Sequence, residues 1–149
     1  MERERIIVAE TGDLEGIRRL FGEHLGEPYV YPADLELIDI LLKTGKCEVF
    51  EARVYGRTVG SIYALKYMYN CGLIGALLVH RSWRRVGIGT ALLLKALTWL
   101  DLPYTYLFVD PGNTAAKGLF GKAGFKQLYR TLDKKTPVGA RLGRSRVRS

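Results

Sequence analysis

Basic side chains and two glycines meet at one point of this chain. Arg84-Arg85-Val86-Gly87-Ile88-Gly89-Thr90 follows the apolar run Leu77-Leu78-Val79 and leads into Ala91-Leu92-Leu93. The pattern predicts a buried strand, a basic turn and then a helix. Amides at a helix start have no partner within the helix, and the aligned peptide dipoles make that end partly positive. Glycine allows unusual φ angles and lets another group approach the backbone closely. A phosphate or pyrophosphate suits such a place. Arg84 and Arg85 add positive charge beside it.

Three phosphate-binding patterns compete. A dinucleotide fingerprint needs a third glycine three residues after the second, where this chain has Leu92. A P-loop needs Gly-Lys followed by Ser or Thr, and no Lys follows Gly89. The third pattern, Gln/Arg-x-x-Gly-x-Gly/Ala, is matched in register by Arg84, Gly87 and Gly89. It is the acetyl-CoA loop of the GNAT superfamily of N-acetyltransferases. A second segment, Asn113-Thr114-Ala115-Ala116-Lys117-Gly118-Leu119-Phe120-Gly121-Lys122-Ala123-Gly124-Phe125, resembles the later motif of that family. The two stand in the family's order, with room between them for one helix and one strand. The chain resembles the GNAT superfamily from Arg5 to Thr131.

The resemblance implies direct transfer of an acetyl group from acetyl-CoA to a primary amine in a ternary complex. The acceptor is a small molecule or a protein lysine. Leu77, Leu78 and Val79 would hold the pantetheine and acetyl group by backbone bonds. Arg84, Arg85, Val86, Gly87, Ile88, Gly89 and Thr90 would hold the pyrophosphate. Asn113, Ala116 and Phe120 would line the pantetheine arm from the other side. Tyr31, on the loop before the second helix, would line the acceptor pocket.

The family's usual proton-handling side chains are replaced. Many relatives carry Tyr at the position of Phe120, as the acid for the departing thiolate. The branch that acetylates protein N-termini carries Glu at the position of Phe108. An amine is mostly ammonium near neutral pH, the lysine reference being about 10.4, so a general base assists its attack. Asp110, two residues beyond Phe108 and on the same side of an extended strand, is the first candidate. Asp110-Pro111-Gly112-Asn113 also reads as a turn, which would give Asp110 a purely local role. Glu48 and Glu51 have opposite strand parity, so only one of them can face a cleft. His80 reads as a surface histidine in a turn. The missing Tyr and Glu keep open an alternative: a noncatalytic acyl-CoA-binding relative serving as a sensor or partner protein.

Composition agrees with one compact domain. The 149 residues suffice for a real core. No apolar run is long enough for a membrane span, and the charged start, Met1-Glu2-Arg3-Glu4-Arg5, does not look like a signal peptide. Cys47 and Cys71 imply no disulfide framework and read as reduced thiols in a cytoplasmic protein. Two His and two Cys, widely separated, give no metal site. The formal net charge is +8, of which Lys134, Lys135, Arg141, Arg144, Arg146 and Arg148 supply six. Residues 1–133 therefore read as one acetyltransferase domain, and 134–149 as a basic tail capable of nonspecific anionic contacts.

The elements that must position these residues follow from periodicity. Strands are expected at Arg5–Ala9, Cys47–Val54, Thr58–Tyr67, Leu73–Val79, Tyr104–Val109 and Phe125–Leu132. Helices are expected after Asp13, with Leu14, Ile17, Leu20, Phe21 and Leu25 inward, and at Asp34–Lys43, Gly89–Leu100 and Thr114–Lys122. The resulting α/β (α+β) order resembles the GNAT fold: a mixed, mainly antiparallel sheet of six or seven strands flanked by about four helices. The seventh strand has only Pro137–Leu142 as its candidate. A bare edge there invites pairing with another chain, so a homodimer or a poorly ordered end would follow.

Overall fold

The computed structural model describes residues 6–130 and 140–145, with side chains through residue 126. Seven strands form one sheet in the order β1-β2-β3-β4-β5-β7-β6. They are β1 (Ile6–Glu10), β2 (Cys47–Val54), β3 (Arg57–Met68), β4 (Cys71–Val79), β5 (Tyr104–Val109), β6 (Lys126–Arg130) and β7 (Ala140–Ser145). The helices are α1 (Glu15–Glu23), α2 (Ala33–Leu42), α3 (Ile88–Leu100) and α4 (Thr114–Lys122). Among the described residues, no helix is long and apolar enough to cross a membrane.

β1 to β4 form an antiparallel meander. Tyr55 and Gly56, at φ 49° and 75°, make the β2–β3 turn. Two consecutive left-handed residues match the twist of a hairpin. β4 and β5 are parallel, so they need a crossover, and α3 supplies it. β7 then inserts antiparallel between β5 and β6. The expected seventh strand exists, shifted from Pro137–Leu142 to Ala140–Ser145. It lies inside the sheet, which leaves β6 as the outer strand on that side.

Both faces of the sheet are covered. Phe50, Ala52, Ile62, Ala64, Leu107 and Val109 pack on one side with Ile88, Leu92, Leu93 and Ala96 of α3 and Phe120 of α4. Val49, Tyr63, Leu65 and Leu78 pack on the other with Ile17, Leu20 and Phe21 of α1 and Ile38 of α2. Burial on both faces explains why the middle of β3, Val59–Leu65, carries no charged residue and does not alternate strictly. At about 25 cal/mol per Å², each fully buried Ile or Leu here contributes roughly 1.5–3 kcal/mol.

α2 and α3 lie within one residue of the periodic reading, at Ala33–Leu42 and Ile88–Leu100, whereas α1 is shorter than its apolar stripe. α1 stops at Glu23, and Gly26 follows at φ 87°. The stripe therefore ends before Leu25, which is exposed. The inward place goes to His24, which continues the i, i+3, i+4, i+7 spacing of Ile17, Leu20 and Phe21 and is 0% exposed. Asp13 still serves the helix start: its Oδ1 accepts from the Glu15 amide at 3.0 Å.

Candidate active site

A splay between β4 and β5 dominates the site. Their ladder has three pairs, Cys71–Tyr104, Gly72–Thr105 and Leu73–Tyr106, although β4 runs on to Val79 and β5 to Val109. Ala76 lies at φ 53° where the β3–β4 register slips. The buried Ser61 hydroxyl donates to the Ala76 carbonyl at 3.1 Å and holds this bulge. A bulge bends and twists its strand. Beyond it the ladder to β5 has ended, and among the described residues Leu78 and Val79 pair with Ser61 and Gly60 of β3. Arg84 Nε closes the Val79 carbonyl at 3.0 Å.

The turn that leads into α3 lies beyond the end of that strand. Gly87 caps α3 at φ 90°, and among the described residues no side chain caps the first amides of the helix. The backbone angle, not lack of room, calls for glycine there, since an added Cβ would meet nothing. At Gly89 the reason is space: a Cβ would lie 3.2 Å from Leu119 Cδ2. The Ile88 side chain anchors the loop in the core, while Val86 and Thr90 are exposed. The two arginines separate in role. Arg84 is engaged by Val79 and by Glu27, at 3.2 Å. Arg85, at φ 62°, is exposed and has no ion pair among the described residues.

Tyr31 and Asp110 meet on the far side of the splay. The Tyr31 hydroxyl donates to Asp110 Oδ2 at 2.5 Å. That bond and burial push the Tyr31 phenol up to about 12. Val109 points into the core and Phe108 is 45% exposed, so Asp110 shares the Phe108 side of the strand. Asp110 also shapes the turn, its carbonyl accepting from the Asn113 amide at 2.9 Å. The Tyr29 hydroxyl lies over Gly112, 2.6 Å from where a Cβ would stand. Tyr63 covers Gly75, just before the bulge. Burial, then the nearby Asp34, raises the Tyr63 phenol to about 12, and burial raises the Asp34 carboxyl.

Asn113 caps α4, its Oδ1 accepting from the Ala116 amide at 3.2 Å. Ala116 packs against the core beside it. Phe120 is buried edge-on against Phe125 at 5.7 Å and brings no proton donor to the splay.

Other candidates stand elsewhere. Glu51 is buried near α1, accepting from Thr58 at 2.9 Å and paired with Arg53 at 2.5 Å. Glu48 accepts the Val49 amide, and burial raises its carboxyl. Both belong to β2, with β3 between them and the splay. A cavity of about 590 Å³ beside Glu51, lined by Ile7, Thr11, Arg53 and Tyr55, is likewise at the β1–β2 edge. His80 is buried, not on the surface: Ser82 N–H donates to its Nδ1 at 3.1 Å, and its Nε2 faces Glu23 at 3.1 Å.

A polar mesh behind the phosphate turn is absent from the sequence reading. Glu27 accepts from Arg81 at 2.7 Å and from Arg84 at 3.2 Å. Glu23 accepts from Arg57 at 2.5 Å, and its backbone carbonyl accepts from Arg81. Arg81 foremost, then Arg84, hold the Glu27 carboxyl below the usual range against the effect of burial. Burial pushes Glu23 up, but Arg57 and His80 outweigh it and its carboxyl is lowered. The one sequence signal for this mesh was a lone histidine on an apolar stripe. Among the described residues, no group of three His, Cys, Asp or Glu side chains is gathered as for a metal ion.

A sequence model of the Acetyltransferase (GNAT) family matches residues 14–125. No curated protein matches the chain significantly. Ard1 from Thermoplasma volcanium has the same fold, with a TM-score of 0.78 at 19% identity, over 96% of this chain and 99% of that one. A GNAT-family acetyltransferase from Staphylococcus aureus Mu50 gives 0.77 at 18% identity, over 95% and 99%. The PaiA N-acetyltransferase of Thermoplasma acidophilum, whose structure is a complex with coenzyme A, gives 0.73 at 16% identity, over 95% and 99%.

Proposed function

The chain belongs to the GNAT acetyltransferase family, and from that premise we propose that it moves an acetyl group from acetyl-CoA to a primary amine. The observation that carries this is the β4–β5 splay, with an anion seat at one end and the Tyr31–Asp110 pair opposite. Among the described residues, a β4 edge without a partner beyond Leu73, amides at Gly87–Thr90 without a side-chain cap and an Arg85 without an ion pair fit an extended thioester with a pyrophosphate. Bound acetyl-CoA supplies a thioester whose acetyl carbonyl a free amine attacks, forming the C–N bond and releasing CoA as a thiolate.

The chain's own residues then have these roles. The α3 amides and Arg85 bind phosphate charge. The free β4 edge orients the acyl arm through backbone bonds. Asp110 Oδ1, which accepts no hydrogen bond from the described residues, takes the amine proton directly or through water. Tyr31 holds the other oxygen and fixes the carboxylate. With its phenol near 12, Tyr31 stays protonated at neutral pH and serves as a donor, not as the base. Phe120 carries no proton to give, so the thiolate takes its proton from solvent.

One observation favours a second reading. Phe120 is packed into the core and Phe108 replaces the usual acid, which suits an acyl-CoA-binding protein without turnover. Release of free thiol from acetyl-CoA, measured with a panel of small amines and lysine peptides, separates the two. Amine-dependent release supports the transferase; CoA binding without release supports the binding protein.

A further inference from the structure

We propose that His24 is a positioning residue for the phosphate-binding turn, acting through the backbone N–H of Arg81. The proposal rests on the reading that the start of α3 seats the CoA pyrophosphate. His24 is 0% exposed. Its Nδ1 lies 2.8 Å from the Leu20 carbonyl and its Nε2 3.0 Å from the Arg81 amide nitrogen. A carbonyl only accepts and an amide N–H only donates. Nδ1 therefore carries the proton and Nε2 does not. One imidazole satisfies a carbonyl left over at the end of α1 and an amide left over at the start of the 3-10 turn Arg81–Trp83.

His80 repeats the device in the opposite tautomer. Its Nδ1 accepts the Ser82 N–H and its Nε2 donates to Glu23. The two rings meet edge-on at 4.8 Å. Two consecutive amides, Arg81 and Ser82, thus end on two buried imidazoles. Immediately downstream, Arg84 is tied to Val79 and Glu27. Only then does the chain pass through Arg85 and Gly87, both at positive φ, into α3. Where the free amides of α3 point depends on where this anchored turn leaves the chain. Anchoring it beforehand spares the ligand the entropy of ordering it.

The test uses two substitutions that each keep one end of the bridge. His24→Gln places an amide oxygen near Nε2 and retains an acceptor for Arg81. His24→Asn places an amide nitrogen near Nδ1 and retains the Leu20 bond. CoA affinity is measured by calorimetry and folding by thermal melts. The Asn variant should bind CoA about tenfold more weakly, and the Gln variant should stay within about threefold of the parent. Equal weakening in both, or none in either, overturns the proposal. Should neither variant fold, Glu27→Gln loosens the same turn from outside the core and should weaken CoA binding about threefold; unchanged affinity overturns the proposal. A parent protein that does not bind CoA overturns the functional reading instead.

Discussion

The Tyr31 hydroxyl and Asp110 Oδ2 lie 2.5 Å apart, joining the start of α2 to the end of β5 across the mouth of the splay. The same connector carries Glu27, which grips Arg81 and Arg84 behind the phosphate turn. Residues 24–32 therefore touch both the turn before α3 and the end of β5. Asp110→Asn should lower turnover by roughly two orders of magnitude or more and leave CoA affinity nearly unchanged. Asn keeps the turn, so a variant of normal activity would reduce Asp110 to a turn residue. Tyr31→Phe should raise the acceptor KM by about three- to tenfold without changing CoA affinity. Steady-state kinetics and calorimetry on the same preparations check both.

Arg85→Ala should weaken CoA binding by roughly three- to tenfold, the worth of one exposed charge near a phosphate. The melting temperature without ligand should not move, because Arg85 makes no ion pair among the described residues. Gly89→Val should do the reverse in part. Its side chain would press on Leu119, costing about 1–3 kcal/mol of stability, which a denaturant titration reads. Loss of affinity in Arg85→Ala together with a lowered melt would mean the loop itself had been disturbed.

On the acid side Glu23 and Glu27 work against the raised Asp34 and Glu48, while on the alkaline side Cys47, Tyr31 and Tyr63 all act in one direction. Glu23 and Glu27 have lowered pKa values in the fold. Their contribution is present above the ordinary glutamate range and is lost as pH falls through the folded values, below about 4.3. Cys47 is raised by burial to about 11, and Tyr31 and Tyr63 to about 12. Their contribution is complete below the unfolded values and is lost as pH rises through the folded ones. Cys47→Ala should therefore flatten the loss of melting temperature between about pH 9 and 11. A slope identical to the parent's in that window contradicts the assignment.

Removing residues 140–149 takes away β7, which pairs with β5 on one side and β6 on the other. The truncated chain should lose stability and aggregate, because two strand edges become free at once. Sedimentation and circular dichroism at matched concentration decide; a monomer with an unchanged melt contradicts the strand's structural role.

Much of this was legible in the sequence because it depends on short-range pattern. β2, β5 and α4 have the bounds that periodicity gave them. The glycines of the phosphate turn announced a positive φ at Gly87. Tyr31 and Asp110 were each singled out, yet nothing local to either indicated that they meet. The Glu23–Glu27–Arg81–Arg84 mesh was invisible for the same reason: its partners come from separate elements, and charged residues in loops read as solvated. Leu25 misled because α1 ends early at a glycine, and the interior place passed to a histidine.

The most direct test of the central claim is a calorimetric titration of acetyl-CoA into the unmodified protein. One site saturating between about 1 μM and 1 mM is predicted, with binding lost in Gly87→Glu, which sets a carboxylate in the phosphate seat. No heat and no thermal stabilisation at millimolar acetyl-CoA would contradict the account.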